Sequence, residues 1–199
     1  MGLSISDEEA FWSDPDRFGG DDFYGYPPYE APTVAARIIA AHPNPKRCLD
    51  LGCGPGRLTN LIARTDPTLT VMSVDISNQA LRHADHSAPP NAGFFKGDGR
   101  TIPEGIDDID LAWSVTVFQH IPLDASVNYI DSVHCRLNDG GVFIFTVARA
   151  DEPDGPFFHP LPTDPLAFGV CLAPLYDLFD TVKVDHDVVN DWTWLTCSK

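Results

Sequence analysis

The sequence lacks any run of about 18 apolar residues, the length that a membrane-spanning helix needs. It also lacks the features of a secretory signal. Its first ten residues, M-G-L-S-I-S-D-E-E-A, carry acids where a signal peptide is positively charged, and no apolar segment follows them. These two absences predict a cytoplasmic protein that has no membrane partner.

Basic residues are also scarce. The chain has 13 lysines and arginines against 29 acids, which gives a formal net charge of -16. Apart from the pair Lys46-Arg47, the basic residues are scattered singly. Proteins that bind nucleic acid neutralise phosphates with clustered lysine and arginine, so this distribution disfavours nucleic acid as a partner and favours a small molecule. Nothing in the sequence indicates an oligomeric state.

Metal-binding and disulfide patterns are absent as well. The five cysteines are widely spaced, and no C-x-x-C pair suggests zinc or redox chemistry. We therefore predict reduced cysteines in the core. The run His83-Ala84-Asp85-His86 has two histidines three residues apart at a helix end, where they converge poorly and have no evident fourth ligand. The sequence thus predicts no metal site.

What the chain does contain is an alternation of short apolar runs and helical stretches from Arg47 onward. Its 199 residues, 43% hydrophobic and 21% charged, suit one globular domain. The predicted strands are Arg47–Leu51, Leu69–Val74, Gly93–Phe95, Ile109–Ser114, Gly141–Val147, Val182–His186 and Trp192–Cys197. The predicted helices are Thr33–His42, Arg57–Thr65, Ser77–His83 and Leu123–Leu137. This alternation predicts an α/β fold with a doubly wound, mostly parallel seven-stranded sheet and helices on both faces.

A glycine-rich turn follows the first predicted strand in the run C-L-D-L-G-C-G-P-G-R-L-T, Cys48 to Thr59. Gly52, Gly54 and Gly56 turn the chain with no side chains in the way, so a ligand can lie against the backbone and a helix N-terminus. The second predicted strand leads into Asp75, which stands 23 residues after Gly52 and can accept hydrogen bonds from two ribose hydroxyls. The pattern predicts a site for a nucleotide or nucleoside.

These residues together resemble the class I S-adenosylmethionine-dependent methyltransferases. The family's first motif has an acid followed by alternating glycines, which Asp50, Gly52, Gly54 and Gly56 match. The G-x-G-x-x-G pattern of dehydrogenases fits less well, since Arg57 stands where its third glycine belongs. Ile109 to Pro122 resembles the family's fourth-strand segment. L-N-D-G-G, Leu137 to Gly141, resembles the Leu-x-Pro-Gly-Gly turn before its fifth strand, with Asp139 in place of proline. The resemblance also implies that the last strand is antiparallel.

The resemblance implies a role for each matching residue. The loop of Asp50, Gly52, Cys53, Gly54 and Gly56 would take the methionine part of S-adenosylmethionine. Asp75, with Ile76 beside it, would bind the ribose hydroxyls. Asp98 would bind the adenine amino group, with small neighbours that let the ring approach. The remaining residues expected around the cofactor are Gly97, Gly99 and Ser114.

On the acceptor side, His120 is the candidate general base because it lies just beyond the fourth strand. A purely structural role is the alternative for this histidine. Phe118 and His159 are further candidates for contact with the substrate; His159 lies in a proline-rich segment, Glu152 to Pro165, of a length that could form a lid.

Residues 1–31 form an acidic, aromatic-rich arm, and residues 32–199 are expected to form the single domain. The arm contains G-Y-P-P-Y-E, Gly25 to Glu30. This run resembles the motif of nucleic-acid amino-methylating enzymes only superficially, because no buried strand precedes it and Tyr26 replaces the polar first residue. Instead, the prolines could present Tyr26 and Tyr29 over the cofactor site as a lid; packing of both rings on the domain surface is the alternative.

The sequence thus predicts an S-adenosylmethionine-dependent methyltransferase that acts on oxygen, nitrogen or carbon of a small molecule. Two alternatives remain open. One is a methyltransferase for nucleic acid or protein, which would need a basic groove. The other is a protein that binds S-adenosylmethionine without catalysis.

Overall fold

The structure, a computed structural model, describes residues 5–14, 31–121, 123–148, 175–187 and 192–199. Within these ranges the strands are β1 (Arg47–Leu51), β2 (Thr70–Asp75), β3 (Ala92–Lys96), β4 (Ile109–Ser114), β5 (Leu137–Ala148), β6 (Thr181–Asp187) and β7 (Trp192–Ser198). The helices are α1 (Ile5–Trp12), α2 (Ala31–Ala40), α3 (Arg57–Thr65), α4 (Asn78–His86) and α5 (Leu123–Arg136), with a 3₁₀ helix at Phe118–His120.

The strands form one sheet in the order β3-β2-β1-β4-β5-β7-β6. Neighbouring strands from β3 to β5 pair in parallel, whereas β7 is antiparallel to both β5 and β6. The predicted fold class is therefore confirmed, including the antiparallel last strand. The order reverses between β1 and β4, and ligands of open α/β sheets bind at such a switch point, beyond the carboxyl ends of the strands.

Hydrophobic residues cover both faces of the sheet, which explains why the central strands read as continuous apolar runs. One cluster packs α5, through Tyr129, Ile130 and Val133, against residues such as Leu49 and Phe143. The other cluster lies on α2 and α3 and joins their residues to Trp113, Trp194 and neighbouring strand residues. The sheet thus lies between two apolar layers. These layers hold in place the edge of the sheet at which the parallel strands have their carboxyl ends.

Two helices begin directly beside that edge. Helix α3 follows Gly56, whose φ of 79° is the left-handed conformation that glycine adopts at little cost. Helix α4 is capped by Ser77, whose hydroxyl accepts a hydrogen bond from the Ala80 amide at 3.2 Å. Helix α3 therefore starts six residues after the end of β1, and α4 starts three residues after the end of β2.

The structure departs from the sequence predictions in a few places. The arm contains a helix, α1, that was not predicted, although Ser4 and Asp7 have the spacing of a capping box. Strand β5 already begins at Leu137, and its pairing with β4 is irregular near the predicted L-N-D-G-G turn, where Gly140 has a φ of 79°. Cys48, Cys53 and Cys197 are buried as predicted; Cys135 is exposed on α5, and Cys171 lies outside the described residues.

No helix in the described part of the chain is both long enough and apolar enough to cross a membrane.

Candidate functional site

The glycine turn after β1 is tied to the neighbouring strand by its own backbone. The amides of Gly52 and Cys53 both donate to the Val74 carbonyl, at 2.7 and 3.1 Å. Gly52 must lack a side chain, since a Cβ there would lie 2.3 Å from Cγ2 of Val117, and its φ is 75°. The turn consequently leaves bare backbone at the tip of β1.

Asp75 joins this turn to the start of α4. Its Oδ2 accepts a hydrogen bond from the Gly54 amide at 2.8 Å, and its Oδ1 accepts one from the Ser77 amide at 2.7 Å. Burial raises the pKa of Asp75, although these hydrogen bonds and the nearby Lys96 act in the opposite direction. Each carboxylate oxygen can accept a second hydrogen bond, so Asp75 retains capacity for two hydroxyl groups.

Asp98 follows β3 at the same edge, and its side chain is exposed. Its Oδ1 accepts from the amides of Arg100 and Thr101 at 2.8 and 2.7 Å, and its Oδ2 accepts from the Thr101 hydroxyl at 2.9 Å. Burial raises the pKa of Asp98, but these hydrogen bonds outweigh it and leave the pKa below its ordinary value. Nearby, a Cβ on Gly97 would lie 2.8 Å from Cγ1 of Val74.

Asp50 lies beneath the glycine turn, where only 3% of it is exposed. The Thr59 hydroxyl donates to Asp50 Oδ2 at 2.6 Å, so Ser73 Oγ, 2.9 Å from Thr59 Oγ1, donates to Thr59 in turn. Burial raises the pKa of Asp50 to about 7, against the opposing effect of Thr59. These hydrogen bonds join β1 to α3 and β2.

Three other predicted residues are buried as well. Burial raises the pKa of the Cys53 thiol well above its usual range. Ser114 is fully buried and donates its hydroxyl to the Leu51 carbonyl at 2.8 Å, which links β4 to β1. Phe118 is 5% exposed and packs on Phe143 and Phe145. The structure places Phe118 in the core, and its contact with the substrate stays a prediction.

His120 ends the 3₁₀ helix beyond β4 and is half-buried. Its ring lies edge-on to that of Trp12, with the ring centroids 5.0 Å apart. Trp12 belongs to α1, so the N-terminal helix reaches the candidate base directly.

Helix α1 and Ser13, the residue that follows it, make two further contacts along this edge. Ser13 Oγ lies 3.3 Å from Ser77 Oγ, the cap of α4. Glu9 forms an ion pair with Lys96 at 2.7 Å, and the Lys96 ammonium also donates to the Ile76 carbonyl. These contacts could not be predicted from the sequence, because each of them joins segments more than 60 residues apart.

The remaining predicted residues, Tyr26, Tyr29 and His159, lie outside the described residues. Across the part of the chain that is described, no group of three or more histidine, cysteine, aspartate or glutamate side chains is arranged to hold a metal ion.

Together these features fit an adenosyl group. Backbone without side chains at the tip of β1, a carboxylate held by backbone amides at the tip of β2, and an exposed acid after β3 lie on one edge of a parallel sheet. Backbone amides and carboxylates in this arrangement bind the polar parts of a nucleoside, and glycines let its flat parts approach closely.

Comparison with known sequences agrees with this geometry. Residues 48–141 match the family model described as a methyltransferase domain. The chain is 34% identical over 126 residues to a trans-aconitate 2-methyltransferase of Streptomyces avermitilis, an alignment that covers 60% of this chain and 46% of that protein. It is 32% identical over 118 residues to a malonyl-[acyl-carrier protein] O-methyltransferase of Methylococcus capsulatus, covering 57% and 42%. The chain thus spans less than half the length of these relatives.

Solved structures share the fold over nearly the whole chain. Magnesium protoporphyrin IX methyltransferase (ChlM) of Synechocystis PCC 6803, with bound S-adenosylhomocysteine (SAH), superposes with a TM-score of 0.72 at 15% identity, covering 98% of this chain and 100% of that one. The DhpI-SAH complex superposes with a TM-score of 0.71 at 22% identity, covering 97% and 95%.

Proposed function

We propose that this chain, which belongs to the class I S-adenosylmethionine-dependent methyltransferases, transfers a methyl group from S-adenosylmethionine to a small-molecule acceptor in the cytoplasm. The observation that carries the proposal is the position of Asp75. Its carboxylate bridges the Gly54 and Ser77 amides at the switch point of the sheet and retains acceptor positions for two ribose hydroxyls.

The proposed cofactor contacts fall into two groups. Gly52 and Gly54 offer partly exposed backbone to the methionine end, with Asp50, Cys53 and Gly56, which packs against Ala84, as buried support. Asp75 and Ile76 bind the ribose, and Asp98 binds the adenine amino group beside Gly97 and Gly99. Ser114 contributes by fixing β4 to β1 through the Leu51 carbonyl.

S-adenosylmethionine supplies an activated methyl group on a sulfonium, so the protein mainly has to hold the acceptor in line with that methyl and exclude water. His120 stands beyond β4, and its ring, which contacts Trp12, can accept a proton from an acceptor hydroxyl or amine. A carboxylate acceptor would already be deprotonated and would need only alignment.

Helix α1 supports the proposal that residues 1–31 act as a lid on the domain formed by residues 32–199. Its contacts reach the cap of α4, the Lys96 side chain after β3 and the ring of His120. These three points lie at the ends of different strands, so α1 extends across the edge where the cofactor and the acceptor would meet.

The acceptor is best sought among small molecules with a reactive oxygen. One relative is named as an O-methyltransferase, which makes oxygen the first atom to test. The net charge of -16 repels polyanions at long range and attracts the cationic donor, so it counts against a polymeric nucleic acid acceptor.

Two measurements test the function. Isothermal titration should give a defined Kd for SAH and none for NADH, which also occupies doubly wound folds. Formation of SAH from S-adenosylmethionine should then be followed with a panel of small carboxylic acids, alcohols and amines. Failure to bind SAH would end the proposal, whereas tight SAH binding without turnover on any acceptor would favour the non-catalytic alternative. Salt-sensitive binding to RNA or to a protein would favour the polymer-modifying alternative.

A further inference from the structure

The turn that follows β4 contains a strained residue. Thr116 has a φ of 59°, and within the described ranges the only other non-glycine residue with positive φ is Asp108. Threonine is branched at Cβ, so it enters the left-handed region only with steric strain. Such a conformation persists where the surrounding structure holds it in place, and it often marks a functional site.

The turn is held from the neighbouring strand. The Thr116 amide donates to Thr146 Oγ1 at 2.8 Å, and Thr146, on β5, is 1% exposed. The Thr116 hydroxyl donates to the Val115 carbonyl at 2.7 Å, so the side chain turns back onto its own backbone. The Thr146 hydroxyl is therefore the group outside the turn that accepts a hydrogen bond from the Thr116 amide.

The turn after β4 also contacts the glycine turn after β1. Val117 follows Thr116 directly, and its methyl groups lie so close to Gly52 that a Cβ on that glycine would be 2.3 Å from Cγ2. The contact lies between the end of β4 and the tip of β1, where the proposed function puts the methionine end of the cofactor. The adenosine end lies at Asp75 and Asp98, on β2 and β3, away from this contact.

We propose that Thr146 is a positioning residue for the amino-acid end of the cofactor. Its hydroxyl accepts the hydrogen bond that holds the strained turn at Thr116. This turn keeps Val117 in contact with Gly52, and the position of Val117 sets the space available to the amino-acid end of the cofactor. The inference rests on the proposed function and extends it to a residue on β5 that does not itself contact the ligand.

The test compares Thr146→Val, which has nearly the same shape without the hydroxyl, with Thr146→Ser, which restores the hydroxyl. Two probe ligands separate the contributions of the two ends of the cofactor. SAH contains the amino-acid end, and 5′-methylthioadenosine lacks it. We expect Thr146→Val to bind SAH at least about fivefold more weakly, because the partly buried Thr116 amide loses its acceptor. Its affinity for 5′-methylthioadenosine should stay within about twofold of wild type, and Thr146→Ser should bind both probes like wild type.

Thr193→Val serves as the matched control. Thr193 is a fully buried threonine on β7, the strand paired with β5, and it lies one register position from Thr146, facing the other side of the sheet. This substitution should leave the affinities for both probes unchanged. Amide hydrogen exchange of residues 116–120, measured without ligand, should be faster in Thr146→Val alone.

Three results would overturn the inference. The first is wild-type SAH affinity in Thr146→Val together with unchanged exchange. The second is equal weakening of both probes, which indicates general damage. The third is failure of Thr146→Ser to rescue SAH binding. If the wild-type protein binds neither probe, the proposed function fails, and the exchange comparison still decides whether Thr146 holds the turn.

Discussion

Asp75 shows how one side chain can serve structure and ligand at once. Both of its oxygens already accept backbone hydrogen bonds, from Gly54 and Ser77, and these fix the carboxylate between the glycine turn and the first turn of α4. A carboxylate held in this way needs no rearrangement when hydroxyl groups arrive, so less conformational entropy is lost on binding. These two hydrogen bonds also offset part of the cost of burying the carboxylate, because they lower the pKa of Asp75 whereas burial raises it.

We expect Asp75→Ala to weaken SAH binding by about 1–3 kcal/mol, because hydrogen bonds to a charged group are lost. Titration calorimetry measures the change, with 5′-methylthioadenosine as a second ligand that retains the ribose. Both ligands should lose affinity alike, in contrast to the Thr146 variant. Glu104→Ala, at an exposed acid in the turn before β4, is the control and should bind like wild type. Unchanged affinity in Asp75→Ala would remove the ribose assignment.

For His120 we expect substitution by alanine to lower kcat by about tenfold or more on the acceptor that the panel identifies, since positioned proton acceptors contribute about 10²–10⁴-fold. Because the variant also loses the contact with Trp12, the Kd for SAH should rise by at most about 12-fold. His86→Ala, at an exposed histidine that ends α4, should leave both values unchanged. A full methylation rate in His120→Ala would reduce this residue to a packing partner of Trp12.

At the scale of elements, the strands and the glycine turn could be predicted, because they depend on local pattern. The bounds of β1 and β4 agree with the apolar runs Arg47–Leu51 and Ile109–Ser114, since both strands are buried on both faces. The position of α1 could not be predicted. Its contacts with Ser77 and Lys96 span 64 and 87 residues, and no local pattern encodes which surface a short helix covers.

The same limit applies to individual side chains at the site. Phe118 and Ser114 follow the pattern of residues near a ligand, yet packing against β5 and β1 buries both. The strain at Thr116 was also invisible in the sequence, because the φ of a threonine depends on the hydrogen bond that Thr146 supplies from a strand 30 residues away.

If α1 is a lid, loosening it should speed cofactor release. An exposed ion pair such as Glu9–Lys96 contributes about 0–1 kcal/mol, and an aromatic contact such as Trp12–His120 contributes about 0.5–1.5 kcal/mol. We therefore expect the double variant Glu9→Gln/Trp12→Ala to release SAH about 2- to 70-fold faster, with Glu9→Gln alone near the lower end.

Stopped-flow displacement of bound SAH measures this rate. Glu104→Gln removes an exposed acid elsewhere and should release SAH like wild type. The melting temperature of each variant, measured without ligand, separates loss of the lid from loss of the fold. Equal release rates in the double variant and wild type would show that α1 does not gate the cofactor.

At the scale of the whole molecule, the two hydrophobic clusters enclose the central strand β1 from both faces, and Asp50 lies within that strand. The side chain of Asp50 is 3% exposed, so its carboxylate becomes fully hydrated only when the protein unfolds. The ionisation of Asp50 is consequently linked to global unfolding. The free energy of unfolding of the domain therefore depends on the protonation of this one carboxyl group.

The sign of that coupling follows from the direction of the shift. Burial raises the pKa of Asp50 to about 7 in the folded chain, above the ordinary aspartate value of about 3.9. Between these two values the folded state binds more protons than the unfolded state, so the stability that Asp50 contributes is complete below about pH 4 and is lost as the pH rises through about 7.

We expect Asp50→Asn, which keeps an oxygen for the Thr59 hydroxyl, to remove this pH dependence. Relative to the variant, the wild-type free energy of unfolding in urea should fall by at most about 1.4 kcal/mol per pH unit between about pH 4 and 7, and should level off above. Glu104→Gln should track wild type throughout. Parallel stability curves for Asp50→Asn and wild type over this interval would mean that the carboxyl group titrates at its ordinary pKa, and hence that water reaches the core side of the glycine turn in the native fold.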